Sequence, residues 1–501
     1  MQPVVKWIIR NIVHIILFTL LLYLLWWRWQ VATHRFFDID EFSYLHWVAD
    51  YAIGHRPYTD FFLFISPGFL WAFAPIVKAV GENVSVFIAA RIASYGIFLT
   101  VLALIGTLFA VTRSRKYALL PAVILAFLPM PFDKFVEIRP DNLATLLALA
   151  GLTAEAYALL LPLKRRPELL WIASGVFYAL SLIVLVKTIP FVVAGLIIAI
   201  VARSQIRAFI SGLTVPLMLC GIWFLVLGNI GKVWYSLTLL PFEVNVKSFS
   251  GIMEPHLFFF PNDHFYSGSR GAGPVTLGLI TNHALWFIAL IAGVIRFWTP
   301  YITANGQKRR VLAEILLGAV FVLTTVAYVE FYPLKHAQYL VPISLFIAYY
   351  GADAIAWGLT KVYLVFPTGE VILLAIFAVA TCVATAQVNS VKIRWSNDVQ
   401  VGQAKALWQA IPSQSAVLDL EGRVLFRKDA YYICCVPFGS FVGYMSHKPP
   451  HLLQVLEEEK TPYIFQGDSN RLTLLSDDDQ SYIYAHYRPV SGWGERLFQR
   501  K

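Results

Sequence analysis

Residues 36–60 read FFDIDEFSYLHWVADYAIGHRPYTD, and this segment decides how the chain is organised. It follows the first long apolar run and is unusually acidic. Its acids are Asp38, Asp40, Glu41, Asp50 and Asp60. Charged side chains are rare within membrane spans because their burial in hydrocarbon is costly. The segment is therefore expected at the water interface, immediately outside a span.

Apolar residues in the same segment recur at helical spacing. They are Phe42, Leu45, Ala49 and Ala52. The spacing predicts a helix lying along the membrane, which Gly54 ends. Asp38 with Glu41 three residues later matches a capping box, so one alternative for Asp38 is purely structural. Capping does not account for Asp40, and crowding of three acids predicts a raised pKa for at least one of them.

The composition places the chain among multi-pass membrane proteins. Of 501 residues, 58% are hydrophobic and only 14% are charged, whereas soluble domains contain about 25% charged residues. The mean hydropathy is +0.64. Basic residues cluster in short loops between apolar runs, which explains the net charge of +10 without a nucleic-acid partner.

Eleven apolar runs are long enough to cross about 30 Å of hydrocarbon. They lie near 7–30, 84–112, 117–136, 140–163, 169–186, 188–202, 208–229, 275–298, 311–331, 338–359 and 364–386. The first is interpreted as an uncleaved span. Residues 61–80 are also apolar, but Ser66-Pro67-Gly68 and Pro75 interrupt them, and a re-entrant or juxtamembrane segment is predicted.

The distribution of basic loops orients these spans. With a cytoplasmic N-terminus, eleven spans place all of the basic clusters inside. The extracytoplasmic parts are then the loops 32–83, 132–141 and 230–274 of a transmembrane domain (1–386), and the C-terminal residues 387–501. The predicted fold class is an α-helical polytopic membrane protein with a small extracytoplasmic α/β C-terminal domain. The 230–274 loop ends in PNDHFYSGSRGAGP, and the Gly, Ser and Asn content of this stretch indicates flexibility.

The C-terminal residues are more polar and contain short strand-like pieces. Strands are predicted at 416–420, 423–426, 463–465, 472–475 and 482–487, and a helix at 400–410. The four cysteines form no disulfide framework, although the adjacent Cys434 and Cys435 can form a vicinal disulfide. The spacing of His256, Asp263 and His264 matches no closed zinc site, and no metal site is predicted.

A second acidic turn, EIRPDNLA at 137–144, is expected on the same face as residues 36–60. Pro140 suits the first turn of a helix, and Asp141 would face the positive helix end, which is a structural alternative. Two acidic turns on one face instead suggest a site. Asp40, Glu41 and Asp141 are the candidate catalytic residues, and a divalent cation among such acids is compatible with the sequence but not required.

Cationic residues are predicted near the same face. Lys187 ends a span, and Lys335-His336 lie in a turn between spans. Snorkelling of the ammonium groups to the interface explains the lysines structurally. The functional alternative is that they bind an anion such as a lipid phosphate. Arg139 could share that role, whereas Arg91 is interpreted as a helix anchor.

These motifs together resemble the GT-C superfamily of integral-membrane glycosyltransferases. The motifs are Asp40-Glu41, Pro57-Tyr58-Thr59-Asp60, Arg139-Pro140-Asp141, Lys187-Thr188 and Gln338-Tyr339-Leu340-Val341-Pro342. The resemblance is to the branch that contains protein O-mannosyltransferases and the lipid A aminoarabinose transferase. That branch has a lysine before paired prolines where this chain has Ile65-Ser66-Pro67. The phosphate contact would therefore come from Lys187 or Lys335.

The resemblance implies transfer of a sugar from a polyprenyl-phosphate donor to a glycan, lipid or protein acceptor. The reaction would take place on the extracytoplasmic face of the inner or plasma membrane, with Asp40 as general base. The expected substrate- or phosphate-binding residues are Arg139, Lys187, Lys335, His336, Tyr58 and Asp60. The alternatives are a ligase or flippase for polyprenyl-linked glycans, or another multi-pass transporter. A transporter would be expected to show paired broken helices, which are not evident.

Overall fold

The computed structural model describes residues 3–129, 132–160, 167–203, 205–248, 277–303, 308–332, 337–390, 392–435, 442–468 and 470–501. Within these residues, seven helices are long and apolar enough to cross a membrane. They are Asn11–His34, Val86–Thr112, Pro140–Leu160, Ile206–Leu227, Lys308–Phe331, Gln338–Val365 and Pro367–Asn389. The protein is thus a multi-pass membrane protein of largely helical fold, as predicted.

The helices are, in chain order, α1 (Pro3–His34), α2 (Ile39–Ala52), α3 (Gly68–Val80), α4 (Val86–Thr112), α5 (Leu120–Phe127), α6 (Pro140–Leu160), α7 (Glu168–Val184), α8 (Ile189–Ala202), α9 (Ile206–Leu227), α10 (Ile230–Trp234), α11 (Leu240–Ser248), α12 (Leu277–Thr303), α13 (Lys308–Val326), α14 (Val341–Val365), α15 (Pro367–Asn389), α16 (Asp398–Ala410), α17 (Leu452–Glu458) and α18 (Asp477–His486). The predicted number of eleven spans is not confirmed. Among the described residues, the α-helix within the run at 117–136 is α5, whose 8 residues extend over about 12 Å at 1.5 Å per residue.

The helix predicted in residues 36–60 is confirmed, and its ends have the expected causes. Asp38 is the N-cap: its side chain accepts a hydrogen bond from the backbone N–H of Asp40, and the Glu41 carboxylate accepts one from the Asp38 N–H. These two bonds form the predicted capping box. The helix ends at Ala52, two residues before Gly54, which has a φ of 105°.

The apolar segment 61–80 is helical only from Gly68 onward. The 13 residues of α3 extend over about 20 Å, less than the hydrocarbon thickness of about 30 Å. Gly68 also allows α3 to approach α7 closely, because a Cβ atom there would lie 2.7 Å from the carbonyl oxygen of Ile183. The interruption at Ser66-Pro67-Gly68 therefore coincides with the start of a short, tightly packed helix.

A five-stranded sheet forms the centre of the C-terminal region. Its strands are β1 (Ala416–Asp419), β2 (Lys428–Asp429), β3 (Tyr463–Phe465), β4 (Tyr487–Pro489) and β5 (Leu497–Arg500), in the order β2-β1-β3-β5-β4. β1 is parallel to β2 and β3, whereas β5 is antiparallel to β3 and β4. The predicted strands at 416–420 and 463–465 and the helix at 400–410 are confirmed. The domain boundary at residue 387 stays a prediction.

Three predicted strands are wrong, each for a local reason. Residues 482–487 mostly belong to α18, because Ser476 caps that helix and three aspartates in its first turn favour the positive helix end. Residues 472–475 form a 3₁₀ turn. Residues 423–426 are irregular, because the Val424 N–H donates to the side chain of Asp419 and the Arg423 carbonyl accepts from Trp408 Nε1.

The prediction of a loop at 230–274 is wrong for its first part. Residues 230–248 are helical throughout, with a π-helical turn at Tyr235–Leu239 between α10 and α11. Tyr235, Leu240 and Val244 pack into the apolar core of the C-terminal sheet. This burial stabilises helix where the sequence alone indicates a loop. The Gly- and Ser-rich residues 261–274, with His256, lie outside the described residues.

The C-terminal region is packed directly on α2. Gly422, with a φ of 91°, is so close to α2 that a Cβ atom would lie 3.0 Å from the Phe42 carbonyl carbon. The Arg423 guanidinium lies over the Phe42 ring at 4.8 Å from its centroid. Gln400 of α16 exchanges two hydrogen bonds with the backbone of Phe37. The start of α2 is therefore held both by Gly422 and Arg423 and by α16.

Replacement of Gly422 with alanine is expected to weaken this contact. Alanine would be strained at this positive φ, and its Cβ atom would press against the backbone of Phe42, which cannot move aside. Together the two effects cost about 2 kcal/mol. We expect a lower thermal midpoint for the purified protein in detergent. Gly402→Ala is the matched control, because a Cβ atom at Gly402 in α16 meets nothing within 4 Å. The control should be unchanged or slightly more stable, and equal effects in both variants would contradict the close packing at Gly422.

Candidate active site

The predicted site is built around the buried carboxylate of Glu137. Its oxygens accept from Arg35 Nη1 at 2.5 Å, from Lys134 Nζ at 2.9 Å and from Arg139 Nε. Asp133 lies beside them and pairs with Arg35 and Lys392. Burial by itself would raise the pKa of Glu137, but the charges of Lys134, Arg139 and Arg35 outweigh it and lower the pKa to about 2. The carboxylate thus stays ionised and fixes the turn that precedes α6.

Two of these cations also hold the acids at the start of α2. Arg139 Nη1 donates to Asp40 Oδ2 at 2.9 Å, and Lys134 Nζ donates to Asp38 Oδ2 at 3.1 Å. The two aspartates are partly exposed, at 25% for Asp38 and 29% for Asp40. The expected rise in pKa from crowding does not occur at Asp38. Burial would raise the pKa of Asp38, but Lys134 and Arg139 hold it well below its usual range.

Glu41 is engaged differently from its neighbour Asp40. Its carboxylate is fully buried and accepts from Arg91 Nη2 at 2.5 Å, from Arg91 Nε at 2.8 Å and from the Ile138 N–H at 3.0 Å, besides the capping bond. Arg91 in turn donates to the carbonyl oxygens of Ala32, Arg35 and Phe36. Arg91 therefore anchors the junction between α1 and α2. Because the carboxylate oxygens of Glu41 are buried, the structure does not support a direct contact between Glu41 and a substrate.

Asp40 and Asp141 both act on one side chain, Tyr44 of α2. Burial raises the pKa of Tyr44, and the charges of Asp40 and Asp141 raise it further. Asp141 lies in the first turn of α6, which begins at Pro140 as predicted. Within the described residues, the Asp141 carboxylate makes no hydrogen bond or ion pair. Two acids that are about 100 positions apart in the sequence thus lie around one phenol.

Lys187 lies beyond Asp141, next to a pair of tyrosines. Its ammonium group is 3.5 Å from the ring centroid of Tyr339 and 5.7 Å from that of Tyr332. The Tyr332 hydroxyl donates to the Lys187 carbonyl oxygen at 3.2 Å. Burial raises the pKa of Tyr332, and the charge of Asp141 adds to this rise. We refer to Asp40, Tyr44, Asp141, Tyr332 and Lys187 as the row, because each is linked to the next by the effect of charge on a tyrosine pKa or by a hydrogen bond.

Solved structures of other proteins have a fold similar to that of this chain. Over 93% of this chain and 94% of the other, it is similar to ArnT from Cupriavidus metallidurans bound to undecaprenyl phosphate (TM-score 0.62, 12% identity). Over 96% of this chain and 73% of the other, it is similar to the Archaeoglobus fulgidus oligosaccharyltransferase in the apo form (TM-score 0.60, 12% identity). Both are GT-C membrane glycosyltransferases.

The chain has the GT-C fold. The oligosaccharyltransferase AglB from Archaeoglobus fulgidus, in complex with an inhibitory peptide and a dolichol-phosphate, matches with a TM-score of 0.55 at 12% identity, over 96% of this chain and 73% of the other. No protein-family model and no curated protein sequence matches the chain. The predicted resemblance is thus confirmed at the level of three-dimensional structure.

Two other predicted binding residues, Tyr58 and Asp60, have their contacts with residues outside the row. Tyr58 is fully buried, donates to the Ile65 carbonyl oxygen at 2.6 Å and packs against Phe224 of α9. Asp60 pairs with the exposed Arg56 at 3.0 Å. Tyr58 has a φ of 63°, so it shapes the turn between α2 and α3. Lys335 and His336 lie outside the described residues.

Several residues of this site were not predicted from the sequence. Lys134 and Arg35 belong to the Glu137 cluster, and Tyr44 lies between the two acids. Arg471 of the C-terminal region is a further one: burial lowers its pKa, and Glu421 and Asp40 raise it again. Only the alternation of charges in FDKFVEIRPD, residues 132–141, marks Lys134 in the sequence. Nothing in the sequence places Arg471 near Asp40.

Replacement of Glu137 with glutamine tests the buried cluster. Three cations would lose their shared carboxylate, which is expected to lower the free energy of unfolding by about 3 kcal/mol at pH 7. The measurement is unfolding of the purified protein in detergent. Glu168→Gln, an exposed acid in the first turn of α7, is the matched control and should change stability little.

The Glu137→Gln variant also tests how the stability contributed by this carboxylate changes with pH. A depressed pKa in the folded state contributes stability above the unfolded value and loses it as the pH falls through the folded value. The difference between the wild type and Glu137→Gln should therefore be constant from pH 8 to 5. It should shrink between the ordinary value of 4.5 and about 2. A difference that grows with acidity would contradict the ion cluster.

Proposed function

We propose that this protein is an inverting glycosyltransferase that moves a sugar from a polyprenyl-phosphate donor to an acceptor on the extracytoplasmic face. The observation that carries the proposal is the row of residues described above. It has a partly exposed carboxylate, Asp40, at one end, a second acid, Asp141, in the middle and an ammonium group, Lys187, at the other end. Such a row offers a base, a polar contact for a sugar and a cation for a phosphate.

The neighbouring structures support a lipid-linked donor. ArnT is bound to undecaprenyl phosphate, and AglB is in complex with a dolichol-phosphate. Both ligands are polyprenyl phosphates, and both proteins share the fold of this chain. A donor of the same chemical class needs a membrane-embedded tail and a cation at headgroup depth. We assign the role of this cation to Lys187, which lies between the short helices α7 and α8.

Asp40 is proposed as the general base. It removes the proton of the acceptor hydroxyl while the oxygen attacks the anomeric carbon of the donor sugar. Arg139 holds Asp40 Oδ2, whereas Oδ1 accepts no hydrogen bond within the described residues. One oxygen is therefore positioned and the other is available to the acceptor. General base catalysis of this kind contributes typically about 10²–10⁴-fold to the rate.

The bond that breaks joins the anomeric carbon to the phosphate oxygen. The polyprenyl phosphate leaves as an anion that is stable at neutral pH, so a general acid is not needed. Lys187, with Lys335 and His336 as further candidates, would match the charge of that anion. Attack and departure on opposite sides of the sugar invert its anomeric configuration. One base and one cationic pocket are thus chemically sufficient.

The other predicted residues would act around this reaction. Asp141 would orient the donor sugar or the acceptor, since its carboxylate is unpaired among the described residues. Glu41 would fix the position of the first turn of α2, because Arg91 holds its carboxylate under that turn. Arg139 would keep Asp40 in place, and Tyr58 and Asp60 would shape the turn after α2 rather than contact the substrate.

The first test is Asp40→Asn, which removes the base and keeps the size of the side chain. We expect normal membrane insertion and a loss of sugar transfer of about 10²–10⁴-fold, measured with a polyprenyl-phosphate sugar and purified protein in detergent. Asp398→Asn, an exposed acid at the start of α16, is the control that should retain activity. Transfer by Asp40→Asn at the control rate would remove Asp40 as base. A complete lack of transfer by the wild type in detergent would instead favour a flippase or transporter, which needs two compartments.

A second test addresses the phosphate. Lys187→Ala and Lys335→Ala are expected to weaken binding of polyprenyl phosphate by about tenfold each, because each removes a charge-assisted contact of about 1.5 kcal/mol. Lys78→Ala, an exposed lysine in the last turn of α3, should bind the lipid like the wild type. Unchanged lipid affinity in both variants would leave snorkelling as the role of these lysines.

A further inference from the structure

A second cluster of polar side chains lies further along α2, where the helix meets β1 and β2. His46 Nε2 is 2.9 Å from Asp429 Oδ1 and 3.5 Å from Asp50 Oδ2. His46 and Asp50 are each only 2% exposed, and the side chain of Asp429 is 9% exposed. This cluster is separate from the row that contains Asp40, and the proposed reaction does not use it.

The cluster contains more negative charge than its protein partners balance. Asp50, Asp419 and Asp429 all face His46, and within the described residues their only other ion-pair partner is the half-buried His55. Buried carboxylates are costly unless they are paired or coordinate a metal. Three ionised carboxylates against one imidazole would leave an excess of negative charge inside the protein.

Three polar atoms of the cluster are also unsatisfied, and one of them, Asp50 Oδ2, is a proposed ligand atom. Among the residues that the structure describes, Asp50 Oδ2, Asp429 Oδ2 and His46 Nδ1 are buried without a hydrogen-bond partner. One ligand atom each from His46, Asp50 and Asp429 can be chosen so that all three lie within 4.8 Å of one another. A tetrahedral zinc ion with ligands at 2.0–2.2 Å needs separations of about 3.4 Å between them. The observed 2.9 Å and 3.5 Å lie on either side of that value.

The surroundings resemble the outer shell of a metal site. A metal-bound histidine usually directs its other ring nitrogen toward a carboxylate. Here His46 Nδ1 lies 3.7 Å from Asp419 Oδ2. The Asp419 carboxylate is itself fixed by the backbone N–H groups of Glu421, Gly422 and Val424, at 2.9, 2.7 and 2.7 Å. His55 holds the other oxygen of Asp50 at 3.3 Å.

We propose that His46, Asp50 and Asp429 bind a divalent metal ion of the zinc type, which links α2 to the C-terminal sheet. Two ligands come from α2 and the third from β2, so the ion joins two parts of the chain that are about 380 positions apart. One imidazole with carboxylates suits zinc better than calcium or magnesium, which prefer oxygen alone. This role is structural and does not depend on the proposed transferase activity.

Two alternative states of the cluster are outcomes of the test. The first is a proton on His46: burial alone would lower the pKa of this imidazole, but Asp429 and Asp50 raise it to about 10. The second involves Cys434 and Cys435, whose sulfur atoms also lie close to His46. In this structure the two cysteines are joined as a vicinal disulfide, which their adjacency in the sequence allows, and they offer no thiolate.

The experiment uses the full-length, untagged protein in detergent, treated with a chelator and then transferred to metal-free buffer. Zinc is titrated in competition with a chromophoric chelator, without reductant, and thermal unfolding is recorded with and without zinc. We expect one zinc ion per chain and a higher thermal midpoint with zinc. Asp429→Asn and His46→Gln should each weaken zinc binding by about a hundredfold or more. Either should also abolish the shift in midpoint.

Glu459→Gln is the matched control, because this exposed acid lies in the same region and loses the same charge. It should bind zinc like the wild type. Asp429→Asn also keeps the test informative if His46→Gln does not fold. The absence of saturable zinc binding, or equal affinity in Asp429→Asn and the wild type, would overturn the site and leave the proton on His46. Binding that appears only after reduction, and is lost in Cys434→Ser, would assign the ligands to the thiols and also overturn it.

Discussion

The structure depends on the burial of one ionised carboxylate, that of Glu137. A buried charge is tolerated only with close partners and full hydrogen bonding. Arg35 from the end of α1, with Lys134 and Arg139 from the turn before α6, supply those partners. Because each cation must reach the same carboxylate, the end of α1 and the turn before α6 are held together. The remaining donors of Lys134 and Arg139 then lie where the first turn of α2 presents its aspartates.

This arrangement divides the acids of α2 into two kinds. Glu41 is buried under Arg91 and the Ile138 N–H, and it makes the start of the helix rigid. Asp40, one residue earlier, has one oxygen held by Arg139 and remains partly exposed. Precise placement of a reactive group by neighbours that are themselves fixed is what a catalytic site requires. In this chain the structural acid and the proposed base are adjacent because a helix directs neighbouring residues to different sides.

α2 is also fixed at its later turns. Gly422 approaches the backbone of α2, and His46 and Asp50 face the carboxylates of the C-terminal sheet. Movement of that sheet would therefore rotate or shift α2, and with it Asp40. The helices at 230–248 pack on the same sheet through Tyr235, Leu240 and Val244. The C-terminal region thus acts as a support for the helix that carries the proposed base.

The sequence by itself determined the features that depend on local signals. Long apolar runs identified a multi-pass membrane protein, a capping box and Gly54 placed α2, and Pro140 placed the start of α6. The GT-C resemblance rested on short motifs, and the fold is shared with neighbours at only 12% identity. Asp40, Asp141 and Lys187 were also selected in this way, and in the structure they are related through charge effects on Tyr44 and Tyr332 and the hydrogen bond from Tyr332 to Lys187.

Only the tertiary structure decided which of these acids is accessible to a substrate and which is buried in ion pairs. The partner of Glu41 is 50 positions away, and the cations that keep the pKa of Asp38 low come from residues 134 and 139. Crowding of acids therefore does not raise the pKa of Asp38. The helix at 230–248 and the irregular backbone at 423–426 likewise follow from contacts with distant residues. Local sequence sets caps, periodicity and span length, whereas the partners of buried charges are set by packing between segments that the sequence keeps far apart.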